Sequence, residues 1–369
     1  MAAISNSVVH LTMRFGAIAL STGTGVLYKR GEKHFIVTAW HNVTGRHPET
    51  MECLSDTLAV PDNIVATIAI SYSGHFSNRM ALVLPLLGEE KALFYIHQKN
   101  WPRVDVVAIP FDPTVDHIME HWSEGEIQKK VSFRPQHVVE KGLSTEINPV
   151  QKFLVPDEDL ARKWLETVEV TEELFIPGYP QNIQDYYAQP VWKRATIASS
   201  VQSGWNREPK FLVDSASKSG MSGSPVFYYS PNGEVRVNGG TYRFNQDVAI
   251  LAGIYVGRMG VTKESDPQIG TVWHQSVIDQ IIDGKCFERL PTEITASTSE
   301  VEIAAIQAIS SCSRKGLQNI NNHKSPSRFY VQIKVLEKMN GRTSPKQALE
   351  VLLDMAKIYD GTLVPDKDN

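Results

Sequence analysis

A serine between two glycines has the strongest chemical potential in this sequence. The stretch "SKSGMSGSPV" places Ser222 two residues after Gly220 and directly before Gly223, and an apolar run, "FYY", follows it. This pattern predicts a tight turn that leads into a strand. Gly220 would allow the backbone N–H groups of Gly220 and Ser222 to face one point, where two donors stabilise the oxyanion of an acyl-transfer reaction.

A serine hydroxyl is a weak nucleophile, so it needs a base and a group that orients the base. His41 follows the β-branched run in "FIVTAWH", where a predicted strand ends. Asp105 precedes the apolar residues of "DVVAI" at the lip of a second predicted strand, where a buried carboxylate is costly unless it is paired. An imidazole N–H can supply that pairing. His41, Asp105 and Ser222 are therefore the candidate base, orienting carboxylate and nucleophile.

The three motifs together carry a family resemblance. "VTAWH", "DVVAI" and "GMSGSP", in the order His, Asp, Ser, resemble the chymotrypsin-like (trypsin-fold) serine peptidases, especially their bacterial branch of glutamyl endopeptidases and HtrA-type proteases. The resemblance covers roughly residues 10–285. It implies an all-β fold of two six-stranded antiparallel barrels with the triad in the cleft between them. It also implies an oxyanion hole made by the amides of Gly220 and Ser222.

The same resemblance implies the position of a specificity pocket. Its base would be Ala216, and its walls would be Tyr255, Val256, Gly257 and the surroundings of Gly270. A small neutral base cannot pair with a basic substrate side chain, so we expect a small or medium apolar residue on the acyl side of the cut. Lys218 or Arg258 could instead reach the cleft and favour an acidic residue, unless both are solvated surface cations.

One position departs from the animal members of that family. They have an aspartate directly before the nucleophile, which pairs with a newly cut N-terminus. This chain has Met221 there, so we expect no activation by N-terminal cleavage.

A second motif, "HIMEH" at residues 117–121, offers a different chemistry. On a helix, His117 and His121 would share one face and could bind zinc, with Glu120 as the base, as in the inverted zinc peptidases. No third ligand can be identified in the sequence. The alternative is a solvated helix face, and we expect no metal and no organic cofactor.

Strand and helix signals divide the chain into four parts. Residues 1–112 alternate short β-rich runs with turn residues and would form the first barrel, with His41 and Asp105. Residues 113–172 contain "TVDHIMEHW" and "DEDLARKWLETV", which predict a partly helical insertion. Residues 173–288 would form the second barrel, with Ser222, and 289–369 predict a helical C-terminal extension.

Composition excludes several classes of partner. The 369 residues are 42% hydrophobic and carry a formal net charge of −4, which gives no electrostatic reason to expect nucleic acid or an anionic membrane. No apolar run is long enough to span a bilayer, and we expect no signal peptide. Three cysteines without short spacing predict reduced thiols and a cytoplasmic protein.

These observations predict a serine endopeptidase that cuts a protein or peptide through an acyl-enzyme. It could be an intracellular effector with one dedicated target, and a regulatory partner could bind the helices of residues 289–369. The alternatives are an inactive protease-fold module that binds proteins and, through the HIMEH motif, a zinc peptidase.

Overall fold

The computed structural model describes residues 3–48, 54, 60–73, 76–89, 91–99, 103–123, 126–138, 144–260 and 267–288, without the side chains of residues 76 and 121–128. The helical extension predicted for residues 289–369, and the partner site proposed on it, lie outside the described residues.

The described elements are mostly strands. The strands are β1 (Val8–Phe15), β2 (Ile18–Arg30), β3 (Lys33–Thr38), β4 (Asn63–Tyr72), β5 (Phe76–Pro85), β6 (Tyr95–Ile96), β7 (Val107–Phe111), β8 (His117–Ser123), β9 (Glu126–Phe133), β10 (His137–Val138), β11 (Ser144–Ile147), β12 (Glu173–Gly178), β13 (Val191–Ile197), β14 (Lys210–Asp214), β15 (Ser224–Ser230), β16 (Glu234–Val237), β17 (Gly240–Arg243), β18 (Val248–Arg258), β19 (Ile269–His274) and β20 (Cys286–Phe287). The helices are α1 (Trp40–Thr44), α2 (Glu158–Thr167) and α3 (Ser276–Gly284), with short 3₁₀ turns at Ala3–Ser7, Val150–Lys152 and Pro180–Asn182.

The N-terminal unit is an antiparallel sheet that curls around one apolar core. Its ladder runs β6-β7-β3-β2-β1-β4-β5, and side chains such as Leu11, Ile36 and Ile64 are fully buried inside it. A bridge between Leu87 and Ala92 connects the end of β5 to the residues before β6. In the described residues the sheet has twelve strands, which exceeds the six expected: this ladder has seven, and β8, β9, β10, β11 and β20 extend it.

The segment "TVDHIMEHW" is a strand, so the predicted helix there is wrong. β8 pairs with β5 and β9, and Glu120 on β8 is buried. Arg14 lies 2.8 Å from that carboxylate and Lys130 lies 3.2 Å from it, and this neutralisation favours the extended conformation. The second predicted helix of the insertion is confirmed as α2.

Helix α2 begins where the sequence supplies a capping residue. The Asp157 carboxylate accepts a hydrogen bond from the Leu160 N–H at 3.0 Å, which satisfies one free donor of the first turn. Leu160, Trp164 and Leu165 are buried against the second barrel. One face of the helix therefore covers that barrel.

The C-terminal unit is a closed barrel of six antiparallel strands, as predicted. Its order is β12-β13-β14-β19-β18-β15. A further apolar cluster contains Val26 and Phe35 of the first unit together with Phe227 and Trp273 of the second. This shared cluster fixes the two units against each other and so fixes the cleft between them.

Among the described residues, no helix is both long enough and apolar enough to cross a membrane.

Candidate active site

His41 lies at the start of α1, directly after β3. Its Nδ1 lies 2.8 Å from Asp105 Oδ2, and its backbone N–H donates to Asp105 Oδ1 at 2.9 Å. One carboxylate therefore contacts both the ring and the main chain of His41. A proton on Nδ1 in this contact leaves Nε2 as the basic nitrogen of the neutral ring.

Strand pairing brings Asp105 to His41. β3 and β7 pair in a register that places Thr38 opposite Val107, so the residues just beyond these ends meet at one edge of the sheet. Asp105 is only 5% exposed and lies between the buried Val104 and Val106. The contact with His41 supplies the donors that a buried carboxylate needs.

Two glycines in the left-handed region shape the turn around Ser222. Gly220 has φ +91° and Gly223 has φ +87°. A Cβ on Gly220 would lie 2.3 Å from the Tyr179 carbonyl oxygen, so a larger residue does not fit. Among the described residues, no acceptor is bonded to the N–H of Gly220 or of Ser222. Both amides are therefore available to an oxyanion.

The first unit holds this turn of the second unit. The Ser222 carbonyl accepts hydrogen bonds from the Thr24 N–H and from Asn42 Nδ2, each at 2.9 Å. Thr24 Oγ1 also donates to the Gly220 carbonyl at 2.8 Å. Strand β2 and helix α1 thus fix the backbone that carries the nucleophile.

Met221, between Gly220 and Ser222, is fully buried in the core of the second barrel. A Cβ on Gly178 would lie 3.0 Å from its sulfur atom, which shows how closely the backbone packs against it. An apolar contact therefore anchors the turn at this position.

His41, Asp105 and Ser222 line the same cavity, whose volume is about 410 Å³. The Ser222 hydroxyl donates to the Val256 carbonyl oxygen at 3.1 Å. Within the part of the chain that the structure describes, no hydrogen bond joins this hydroxyl to His41. The hydroxyl must therefore give up its bond to the Val256 carbonyl before it can donate to the imidazole.

The residues expected in the specificity pocket lie in two different places. Val256 and Gly257 line the cavity beside Ser222, whereas Ala216, Tyr255 and Gly270 are not part of its lining. Ala216 is exposed on the surface. Tyr255 is 1% exposed, its hydroxyl is hydrogen-bonded to Ser217 Oγ, and its ring fills the space that a side chain on Gly270 would need.

The two cationic side chains that the sequence offered as candidates for the cleft lie in different places. Arg258 lines the cavity, whereas Lys218 is exposed and lies outside the lining.

A charged cluster at the far end of the cavity was missed by the sequence analysis. Glu208 and Lys210 line the cavity, both buried, with Nζ 2.5 Å from the carboxylate. Burial raises the pKa of Glu208, but hydrogen bonds and attraction to Lys210 and Lys99 outweigh it, so the net pKa is lowered. The stretch "NREPKF" has the composition of a surface loop, and no signal in it shows that its charges are buried.

The zinc interpretation of "HIMEH" required a helix, but these residues lie in strand β8. On a strand, His117 and His121 are four residues apart, about 13 Å along the axis, which is too far to share one metal ion. Glu120 is already paired with Arg14 and Lys130. In the described part of the chain, no group of three His, Cys, Asp or Glu residues could hold a metal ion.

No family model matches the chain, and no curated protein matches it. Among solved structures, it is similar to an inactive mutant form of Rv3671c from M. tuberculosis H37Rv, with 11% identity, a TM-score of 0.33 and coverage of 77% of this chain and 88% of that one. It is also similar to the active form of that protease, with 12% identity, a TM-score of 0.32 and coverage of 77% and 81%.

A third similar structure is the serine endoprotease from Yersinia pestis, with 13% identity, a TM-score of 0.38 and coverage of 76% of this chain and 65% of that one. At this level of similarity, the chemistry of the chain has to be inferred from the geometry of its own residues.

Proposed function

We propose that the chain is a serine endopeptidase that cuts a protein or peptide through an acyl-enzyme. One observation carries the proposal. Asp105 holds the ring and the backbone of His41 in the cavity that Ser222 also lines, and the N–H groups of Gly220 and Ser222 have no acceptor among the described residues. This is the set of groups that acyl transfer requires.

In the proposed reaction, His41 Nε2 takes the Ser222 proton as the hydroxyl oxygen attacks the scissile carbonyl. The negative charge that develops on the carbonyl oxygen is stabilised by the Gly220 and Ser222 amides. His41 then gives its proton to the leaving amine, and the peptide C–N bond breaks. Water, deprotonated by His41, attacks the acyl carbon; the bond from that carbon to Ser222 Oγ then breaks, His41 returns the proton to Oγ, and the carboxylic acid product leaves. Asp105 orients the imidazole and stabilises its charged form throughout.

A second candidate function has one observation in its favour. The Ser222 hydroxyl is bonded to the Val256 carbonyl and not to His41, which is an orientation that an inactive protease-fold module for binding proteins could keep. The two candidates differ in whether Ser222 ever reacts. In the peptidase, the hydroxyl leaves Val256 when substrate binds, whereas in the binding module it stays there.

Labelling with a fluorophosphonate probe separates the two candidates. We expect the wild-type chain to form a covalent adduct on Ser222, detected by mass spectrometry, and the rate to be unaffected by a chelator. Ser222→Ala should abolish labelling, and Ser224→Ala is a matched control on the same stretch of chain. A folded wild-type protein that stays unlabelled would contradict the peptidase and favour the binding module.

The proposal includes a preference for a small or medium apolar residue on the acyl side of the cut. Val256, Met259 and Trp273 give the cavity an apolar wall, which suits an uncharged substrate side chain. A panel of fluorogenic peptides that differ only at this residue measures the preference. Fast cleavage after Arg or Lys would overturn it, and fast cleavage after Glu would point to Arg258 instead.

The proposed setting is the cytoplasm, with one dedicated protein target and control by a partner at residues 289–369. Of the three cysteines, Cys286 lies in the described part of the chain, and it is a free thiol. Cell fractionation tests the location. A comparison of probe labelling in the full chain and in a chain that ends at Glu288 tests whether the last residues control the site.

A further inference from the structure

A buried carboxylate connects the two segments that carry His41 and Asp105. Glu288 directly follows β20 and is 8% exposed. Its Oε2 accepts a hydrogen bond from Trp40 Nε1 at 2.9 Å and from an Arg103 guanidinium nitrogen at 2.6 Å. Trp40 directly precedes His41, and Arg103 lies two residues before Asp105. A single oxygen atom therefore bridges both sides of the His41–Asp105 contact.

Packing makes these three side chains one unit. The Arg103 guanidinium carbon lies 5.0 Å from the centroid of the Trp40 ring, within the range of a cation–π contact. Trp40 is 2% exposed and belongs to the apolar core of the first unit, so this contact links the guanidinium to that core. We call Trp40, Arg103 and Glu288 the carboxylate bridge.

The backbone of Glu288 is itself fixed to the first unit. Its carbonyl accepts a hydrogen bond from the Ala92 N–H at 3.2 Å, and β20 pairs with β6. The chain reaches this place from α3, which follows the last strand of the second barrel. The backbone of Glu288 is thus held by the sheet of the first unit, next to β6, which pairs with β7 just after Asp105.

Side-chain hydrogen bonds hold the start of α1 on both sides of His41. The helix has five residues, and its N-cap residue, Ala39, offers no side-chain hydrogen bond. A helix this short is marginal by itself, so contacts of its side chains decide its position. Asn42, directly after His41, donates to Thr38 Oγ1 and to the Ser222 carbonyl, and the Trp40 indole bond to Glu288 is the matching restraint directly before His41.

Burying the charges of Glu288 and Arg103 is costly, so their pairing fixes the positions of the neighbouring residues more than it raises the free energy of unfolding. A buried ion pair is often no more stabilising than apolar residues of the same volume, but it fixes directions that apolar contacts leave open. We propose that Glu288 is a positioning residue, which holds His41 and Asp105 in register for proton transfer. The proposal rests on the peptidase function above, and it names a residue that lies outside the catalytic triad.

Glu288→Gln is the direct test because it keeps the size and one acceptor oxygen but removes the charge. We expect the maximal rate of fluorophosphonate inactivation to fall roughly tenfold or more, toward the about 100-fold that a misplacement of one ångström can cost. The probe concentration at half-maximal rate should stay unchanged. Proton NMR with ring-labelled histidine should show the His41 Nδ1–H signal shifted and broadened.

The matched control is Glu173→Gln. Glu173 pairs with Arg194 on the exposed surface of the second barrel and does not line the cavity, so rate and NMR signal should equal those of the wild type. A folded Glu288→Gln protein with wild-type rate and wild-type His41 signal would overturn the proposal.

Trp40→Phe keeps the proposal testable if Glu288→Gln does not fold. This change removes the indole N–H and leaves an aromatic ring under Arg103. We expect a smaller fall in rate, and, where both variants fold, the effect of the pair should be less than additive because both act through one hydrogen bond. An unchanged rate and an unchanged His41 signal in Trp40→Phe would overturn the proposal.

The NMR signal separates this proposal from the peptidase function. If the wild-type chain is not labelled but the His41 signal still changes in Glu288→Gln, the peptidase assignment fails and the positioning role stands.

Discussion

At the scale of single residues, the glycine before Met221 makes the sharpest demand on the sequence. Gly220 combines a left-handed backbone with a contact that leaves no room for a Cβ, and its N–H, one of the two proposed oxyanion donors, has no acceptor among the described residues. Both the left-handed backbone at residue 220 and its proposed role as an oxyanion donor therefore depend on the absence of a Cβ.

Gly220→Ala is predicted to remove most of the proposed activity. The new methyl group would push against the Tyr179 carbonyl and turn the amide away, and the loss of one oxyanion donor costs about 10²- to 10³-fold in turnover. The measurement is the maximal rate of probe labelling, with folding checked by thermal unfolding.

Gly239→Ala is the control that distinguishes the effect of backbone strain from the effect of losing an oxyanion donor. Gly239 has φ +75°, and a Cβ added there would meet nothing within 4 Å, so alanine carries only the left-handed strain of about 1–2 kcal/mol. It should lower thermal stability and leave labelling unchanged. Equal losses of labelling in both variants would mean that Gly220 has no special role.

At the scale of elements, local sequence patterns predicted individual strands and helices but not the residues, distant in the sequence, that pair with them. The strand before His41, the strand after Ser222 and the capped helix α2 all follow from residues within a few positions of each other. β8 did not, because its polar residues resemble a helix surface and the burial of Glu120 depends on Arg14, 106 residues away. A side chain's neutralising partner cannot be recognised from the local sequence.

The same limit applies to the cavity. The sequence pointed to His41, Asp105 and Ser222 because each has a specific motif. Glu208 and Glu288 have none, since their roles come from folding that brings Lys99 or Trp40, distant in the sequence, against them. The direction of the Ser222 hydroxyl was equally beyond prediction, because it depends on the Val256 carbonyl of another strand.

At the scale of the whole molecule, the contact between the two units contains a buried histidine. His10 of β1 is 6% exposed, and its Nε2 lies 2.7 Å from Asn182 Oδ1 in the turn after β12. Burial lowers the pKa of His10, the hydrogen bond to Asn182 opposes this, and repulsion from Arg79 adds to the lowering. The folded protein therefore favours the neutral ring.

The lowered pKa of His10 predicts a stability that falls in mild acid. Below the ordinary value of 6.5 the unfolded chain binds a proton that the folded chain does not, so the free energy of unfolding decreases as pH falls and is restored above that value. Urea unfolding at about pH 7.5 and about pH 5.5 measures the difference.

His10→Gln should reduce this pH dependence while keeping an amide donor for Asn182. Part of it should remain, because burial also lowers the pKa of His34 and His274. An unchanged difference between the two pH values would show that His10 does not contribute.

The buried thioether of Met221 has a consequence for how such a peptidase would be controlled. A turn anchored by an uncharged side chain needs no new ammonium group to complete it, so the newly folded chain would already hold its oxyanion hole. For the proposed peptidase we therefore expect a restraint that acts on the folded chain or on its amount, by inhibition, by sequestration or by limiting its synthesis.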